Sequence, residues 1–168
     1  MKLTDNFSLE EMTRSATAEK KNIENVPNEE QIECLRQLCV NILQPLRDDF
    51  QKPLVITSGF RSKKLSLAIN SKTTSQHCKG QAADFTIPGI DNKKVFKHII
   101  ENLPMDQVIL EYYKEDDKYS MFTNVIFESE KKAVEFKDKQ KSMRKKHDCR
   151  AVKYHYKYFN GVNENEIN

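Results

Sequence analysis

Ile32, Leu35, Leu38, Cys39, Ile42, Leu43 and Leu46 recur at intervals of three and four residues, which lays one apolar stripe along a single helix. Such a helix holds in water only when its apolar face is covered, so this segment is the expected spine of a domain and the rest of the chain must cover it. Pro27-Asn28-Glu29-Glu30 opens the helix, with acidic residues in the first turn where they favour the macrodipole. Pro45 falls inside the pattern. Its ring removes an amide donor and clashes with the preceding turn, so a kink, or the end of the regular part, is expected there. Upstream, Ser8-Leu9-Glu10-Glu11 has the capping-box form and predicts a short helix. Downstream, Leu54 to Thr57 reads as a strand, and Ser58 to Ser62 as a turn feeding a helix to about Asn70. Ala82 to Ile87 then reads as a strand, Asn92 to Leu103 as a helix and Gln107 to Tyr113 as a strand. Further strands are expected at Phe122 to Phe127, at Ala133 to Phe136 and at Ala151 to Phe159, where Tyr154, Tyr156 and Tyr158 share a face. Helices first and mostly strands later imply an α+β fold, a small antiparallel sheet backed by helices.

A chain of 168 residues can bury roughly 70% of its unfolded surface, enough for one domain with a real core. No apolar run approaches the ~20 residues of a membrane span, and Met1 to Asn6 carries no apolar signal region, so synthesis in a cytoplasm without a signal peptide is expected. Cys34, Cys39, Cys78 and Cys149 follow no C-x-x-C spacing and read as reduced thiols packed in the core. The net charge of +3 is too small to argue for nucleic acid. One segment, KDKQKSMRKKHDCR from Lys137 to Arg150, concentrates positive charge on Lys137, Lys139, Lys141, Arg144, Lys145 and Lys146. It reads as a solvated loop or as a surface for phosphates or an acidic partner.

The stretch Ser75-Gln76-His77-Cys78-Lys79-Gly80-Gln81-Ala82-Ala83-Asp84 places a histidine and an aspartate seven residues apart around a glycine turn. That is half of a metal site, because a catalytic zinc takes three protein ligands and keeps a position for water. The strand from Tyr119 to Phe127, where a third ligand would be sought, contains no histidine.

Together these motifs resemble the zinc peptidases of the D-alanyl-D-alanine carboxypeptidase and L-alanyl-D-glutamate endopeptidase type. These are peptidoglycan-cleaving enzymes of bacteria and bacteriophages, with a fold related to the hedgehog signalling domain. The resemblance runs through Asn6 to Glu11, Leu43 to Arg47, Ile56 to Ser62, Ser75 to Asp84 and Asp106 to Tyr112. It implies a peptidase-like domain over residues 1–128, with residues 129–168 as a basic, tyrosine-rich extension packed on it. It also implies His77 and Asp84 as zinc ligands, and Arg61 as the group that binds a substrate carboxylate or carbonyl oxygen. The family's third ligand is a histidine in a Trp-x-His context with an acid nearby. Here Phe122-Thr123-Asn124 takes that place, so the histidine reads as Asn124, and no Asp or Glu lies between Tyr119 and Thr123.

Both departures bear on function. An Asn carbonyl is a neutral, harder donor than imidazole, and losing a general base costs ~10²- to 10⁴-fold in rate. Glu111 is the remaining candidate acid and His155 the candidate replacement ligand, while His98 reads as a surface or half-buried residue and His147 lies in the basic segment. The first expectation is a peptidase-like domain that has lost catalysis and serves as a structural or binding component, with other proteins of an assembly, further copies of the chain or bacteriophage virion components as partners. In that setting the chain is made in a bacterial cytoplasm and incorporated into a virion. The alternative is an active, zinc-dependent cell-wall peptidase acting on peptidoglycan. Nucleic-acid contact through the basic segment is a third, weaker reading, and it predicts a steep loss of binding with salt.

Overall fold

The structure is a computed structural model that describes residues 1–111 and 122–126, with the backbone alone at 110, 111 and 122–124. The elements run α1 (Leu9–Thr13), α2 (Ala16–Lys20), α3 (Glu29–Leu38), a π-helical turn (Cys39–Leu43), α4 (Gln44–Phe50), β1 (Val55–Ser58) and α5 (Lys63–Ala68). A 3₁₀ turn (Gln76–Lys79), β2 (Ala82–Thr86), α6 (Asn92–Asn102), β3 (Gln107–Glu111) and β4 (Phe122–Ile126) follow. No helix among the described residues is long and apolar enough to cross a membrane. The strands expected at 133–136 and 151–159, the extension over 129–168 with its basic segment, Cys149, His147 and His155 lie outside the described residues.

Local chemistry sets the helix ends. Ser8 Oγ accepts from the Glu11 amide at 3.2 Å, as the capping-box pattern predicts. Asn28 and Gln31 form a full reciprocal box at the start of α3. The regular helix then stops at Leu38, and five residues wind as a π turn in which the Gln44 amide donates to Cys39 O. Pro45 explains it: it has no amide to offer Asn41 O, and its ring would collide with that carbonyl in an α turn. A widened turn relieves the collision, α4 follows directly, and Leu35, Leu38, Ile42, Leu43 and Leu46 are all buried. Two details differ from expectation. The segment after Thr13 forms α2, capped by Ser15 Oγ on the Ala18 amide, and α5 ends at Ala68, with Asn70 in left-handed backbone at φ 58°.

The four strands form one antiparallel sheet in the order β1-β2-β4-β3. Ile56 lies opposite Phe85, and Ala83, Val125 and Val108 lie side by side across β2, β4 and β3. All five are buried and belong to one core with the α3 and α4 stripe and with Val95, Phe96 and Ile99 of α6. One face of the sheet is therefore the floor of the core. Side chains alternate along a strand, so Asp84, between Ala83 and Phe85, belongs to the opposite face. The α+β reading of a small antiparallel sheet backed by helices holds.

Candidate functional site

Asp84 is where three strands bring their residues level. The β1–β2 register slips between Ile56 and Ser58, leaving Thr57 as an extra residue, and this sets Ser58 directly opposite Asp84. On its other side Asp84 pairs with Asn124 of β4, which pairs in turn with Ile109 of β3. The irregularity also turns the chain out of β1 beside Asp84, into the Gly59–Ser62 segment that carries Arg61.

His77 sits on the 3₁₀ turn and reaches Asp84 from outside the sheet. Ser75 Oγ caps the turn, and Gly80 closes it at φ 74°, packed so tightly on Gln31 O that a side chain there would collide with it. Gln31 Nε2 donates to Cys78 O at 2.9 Å, and the Cys78 thiol lies 3.0 Å from the buried Ser66 hydroxyl, so α3 and α5 both grip the turn. The ring itself is held at Nδ1, which lies 2.7 Å from Gly59 O. A carbonyl only accepts, so Nδ1 carries the proton and Nε2 is the atom presented to Asp84 Oδ1, at 3.4 Å. Both side chains are buried, with 7% and 10% of their surface exposed.

Arg61 completes the cluster. Its Nη2 lies 3.3 Å from Asp84 Oδ2, so the two carboxylate oxygens face different partners, one the guanidinium and the other the imidazole. The Arg61 amide donates to His77 O at 3.2 Å, tying the two loops together at the backbone. The guanidinium Nε is buried and has no hydrogen-bond partner among the described residues.

The His77–Asp84 pair suits a tetrahedral metal. Bonds of about 2.0 to 2.1 Å at tetrahedral angles separate two donor atoms by about 3.4 Å, which is the spacing of Nε2 and Oδ1. The Nδ1 hydrogen bond to a backbone carbonyl is the kind of support that orients ligating histidines. Among the described residues the donor set is this one imidazole and one carboxylate. The register position beside Asp84 is held by Asn124, and no group of three or more His, Cys, Asp or Glu side chains gathers among the described residues. Arg61, His77 and Asp84 are thus brought together. Glu111 ends β3 opposite Phe122, two register positions from Asn124. Lys137, Lys139, Lys141, Arg144, Lys145, Lys146 and His155 lie outside the described residues.

The remaining titratable groups stand apart. His98 Nε2 lies 2.9 Å from Asp49 Oδ2, and its ring packs edge-on against Phe50, joining α6 to α4 at the surface. Cys34, Cys39 and Cys78 are unbridged thiols. Burial, with a small contribution from the charge of Glu11, pushes the Cys39 thiol up to about 12, and burial likewise raises Cys34. Two further residues support the site, Gly59 of the turn read from the sequence and Asn25, which carried no sequence signal. Gly59 packs its Cα against the Met12 backbone, whose carbonyl accepts the Phe60 amide at 2.7 Å, and Asn25 grips the Arg61 loop.

A family model described as Peptidase M15 matches residues 5–118. The match takes in α1 through β3 and includes Arg61, His77, Asp84 and Glu111. No curated protein matches the chain.

Proposed function

The chain belongs to the Peptidase M15 family, and we propose that its Arg61–His77–Asp84 cluster is that of a peptidoglycan-peptidase-like domain in which catalysis has been lost and binding or a structural role retained. One observation carries this reading. The β2–β4 register sets Asn124 beside Asp84, where the family resemblance calls for a histidine. With a neutral amide at that position, zinc would have among the described residues one imidazole and one carboxylate as its strong donors, fewer than a catalytic site takes.

What the chain's own residues support is recognition. Arg61 offers a buried Nε that has no partner among the described residues, suited to an oxygen of a peptide carbonyl or carboxylate. Asp84 and the Nδ1-anchored His77 fix the floor beneath it. The setting we propose is a bacteriophage particle, by association with the family's distribution. Its partners would be other virion proteins or further copies of the chain, engaged through Lys137, Lys139, Lys141, Arg144, Lys145 and Lys146, with residues 129–168 packed as an extension on the peptidase-like domain of residues 1–128.

The second reading is an active zinc-dependent cell-wall peptidase. The tetrahedral spacing of His77 Nε2 and Asp84 Oδ1 favours it. It requires Asn124 or His155 as third ligand and Glu111 as the acid. Metal content after equilibration with zinc separates the two. Wild type is expected to be empty and Asn124→His to hold about one zinc per chain. A wild-type protein that retains one tightly bound zinc, cleaves peptidoglycan and loses that cleavage on His77→Ala overturns the proposal.

A further inference from the structure

Two loops that meet only in the folded protein are joined by one side-chain amide. Asn25 Nδ2 donates to Thr13 O at 2.7 Å and to Phe60 O at 3.1 Å, and Asn25 Oδ1 accepts from the Ser62 amide at 2.6 Å. Two carbonyls and one N–H fit a single orientation of the amide, so the network itself assigns its oxygen and nitrogen. The two groups gripped on the far loop, Phe60 O and Ser62 N, lie immediately before and after Arg61. The Arg61 amide between them donates to His77 O, and the neighbouring Gly59 O receives the His77 ring proton. Gly59 O and the Arg61 N–H, the two groups of this loop that hold His77, thus lie beside or inside the Asn25 bracket.

We propose that Asn25 is a positioning residue for this pair: its amide sets the Gly59–Ser62 loop so that Gly59 O selects the Nδ1–H tautomer of His77 and Arg61 faces Asp84. Its functional meaning rests on the reading of the Arg61–His77–Asp84 cluster as the working site. The side-chain chemistry is specific. Aspartate keeps the acceptor for Ser62 but turns a carboxylate oxygen toward Thr13 O and Phe60 O, replacing two attractions by two repulsions. The loop bearing Asn25 is itself held, because Pro27, which is buried, restricts the backbone of Val26 and Ser62 Oγ donates to Glu24 O at 3.0 Å.

The test uses the full chain, stripped of metal by chelation and labelled with ¹⁵N. The ring resonances of His77 in its neutral form read the tautomer ratio, and exchange of the Arg61 Nε–H reads the seating of the guanidinium. Wild type is expected in the Nδ1–H tautomer. Asn25→Asp is expected to shift the tautomer ratio, and to speed Nε–H exchange, by about tenfold, the scale of one lost hydrogen bond. Asp91→Ala, which removes the α6 cap that accepts from the Lys93 amide at 2.9 Å and touches neither loop, is expected to lower stability and leave both readouts in place. If Asn25→Asp lowers stability alike while His77 and Arg61 keep their wild-type signals, Asn25 is only structural and the proposal fails. Should Asn25→Asp not fold, Asn25→Ser carries the same readouts: shifted signals support the positioning role and wild-type signals overturn it. Neither signal depends on zinc or cleavage, so an active wild-type enzyme would sink the functional reading and leave this one standing.

Discussion

At Gly59 a single hydrogen atom separates a working loop from a collision. A β-carbon there would overlap the Met12 carbonyl, and that carbonyl is backbone already engaged with the Phe60 amide. Gly59→Ala is therefore expected to cost about 1–3 kcal/mol or more in chemical denaturation. Because Gly59 O anchors the His77 ring, the same substitution should weaken any metal bound by Asn124→His. Cys39 makes a different prediction. Its folded pKa lies near 12, against an ordinary thiol value of 9.0. A raised folded pKa means that the native state holds the proton longer, so this contribution to stability is complete below pH 9 and is lost as pH rises toward 12. Over that window stability should fall by up to about 1.4 kcal/mol per pH unit, and Cys39→Ala should flatten the slope measured by urea denaturation. His77 and Asp84 were legible as a pair from their spacing around Gly80. Asn25 was not, since its three hydrogen bonds span 12 to 37 positions of chain and no local pattern encodes them.

Helix ends are legible where their chemistry is local. Ser8 with Glu11 and Asn28 with Gln31 satisfy the first amides of α1 and α3 through residues three apart. The departure at Pro45 was also readable, as a break, although its form depends on keeping a buried row continuous across the defect. The extra residue at Thr57 could not be read, because a bulge is decided by the neighbouring strand. Gln31 serves two elements at once: its oxygen completes the α3 box and its nitrogen holds Cys78 O on the histidine turn. Gln31→Glu separates these roles. A carboxylate can still accept from the Asn28 amide but offers nothing to Cys78 O, so a net loss of about 1–3 kcal/mol is expected in thermal or urea unfolding. An isolated α3 peptide with the same change should be at least as helical as wild type, since glutamate suits that capping position. A full-length variant as stable as wild type would show that the Gln31–Cys78 link contributes nothing.

For the molecule as a whole, the family match ends before the sheet does. It stops at residue 118, whereas β4, at Phe122–Ile126, lies between β2 and β3. A chain cut at 118 would keep Arg61, His77 and Asp84 yet leave two strands with open edges in the middle of the sheet. It is expected to be insoluble or to lack a cooperative unfolding transition, whereas a chain that includes residue 126 retains all four strands. Charge gives the other test at this scale. If the protein works in an assembly, replacing the lysines and arginines from Lys137 to Lys146 by glutamine should abolish its incorporation, scored by co-sedimentation with particles, while His77→Ala is incorporated normally.

The strand order also ties folding to the clock of synthesis. Ribosomes deliver β1, β2 and β3 before the strand that must lie between the second and third of them. At about 5–20 residues per second, the nascent chain waits with its sheet unzipped, and β2 and β3 can find each other, or another chain, before β4 arrives. Aggregation during rapid production, and its relief by slower translation, would be the cellular mark of a keystone made after both its neighbours.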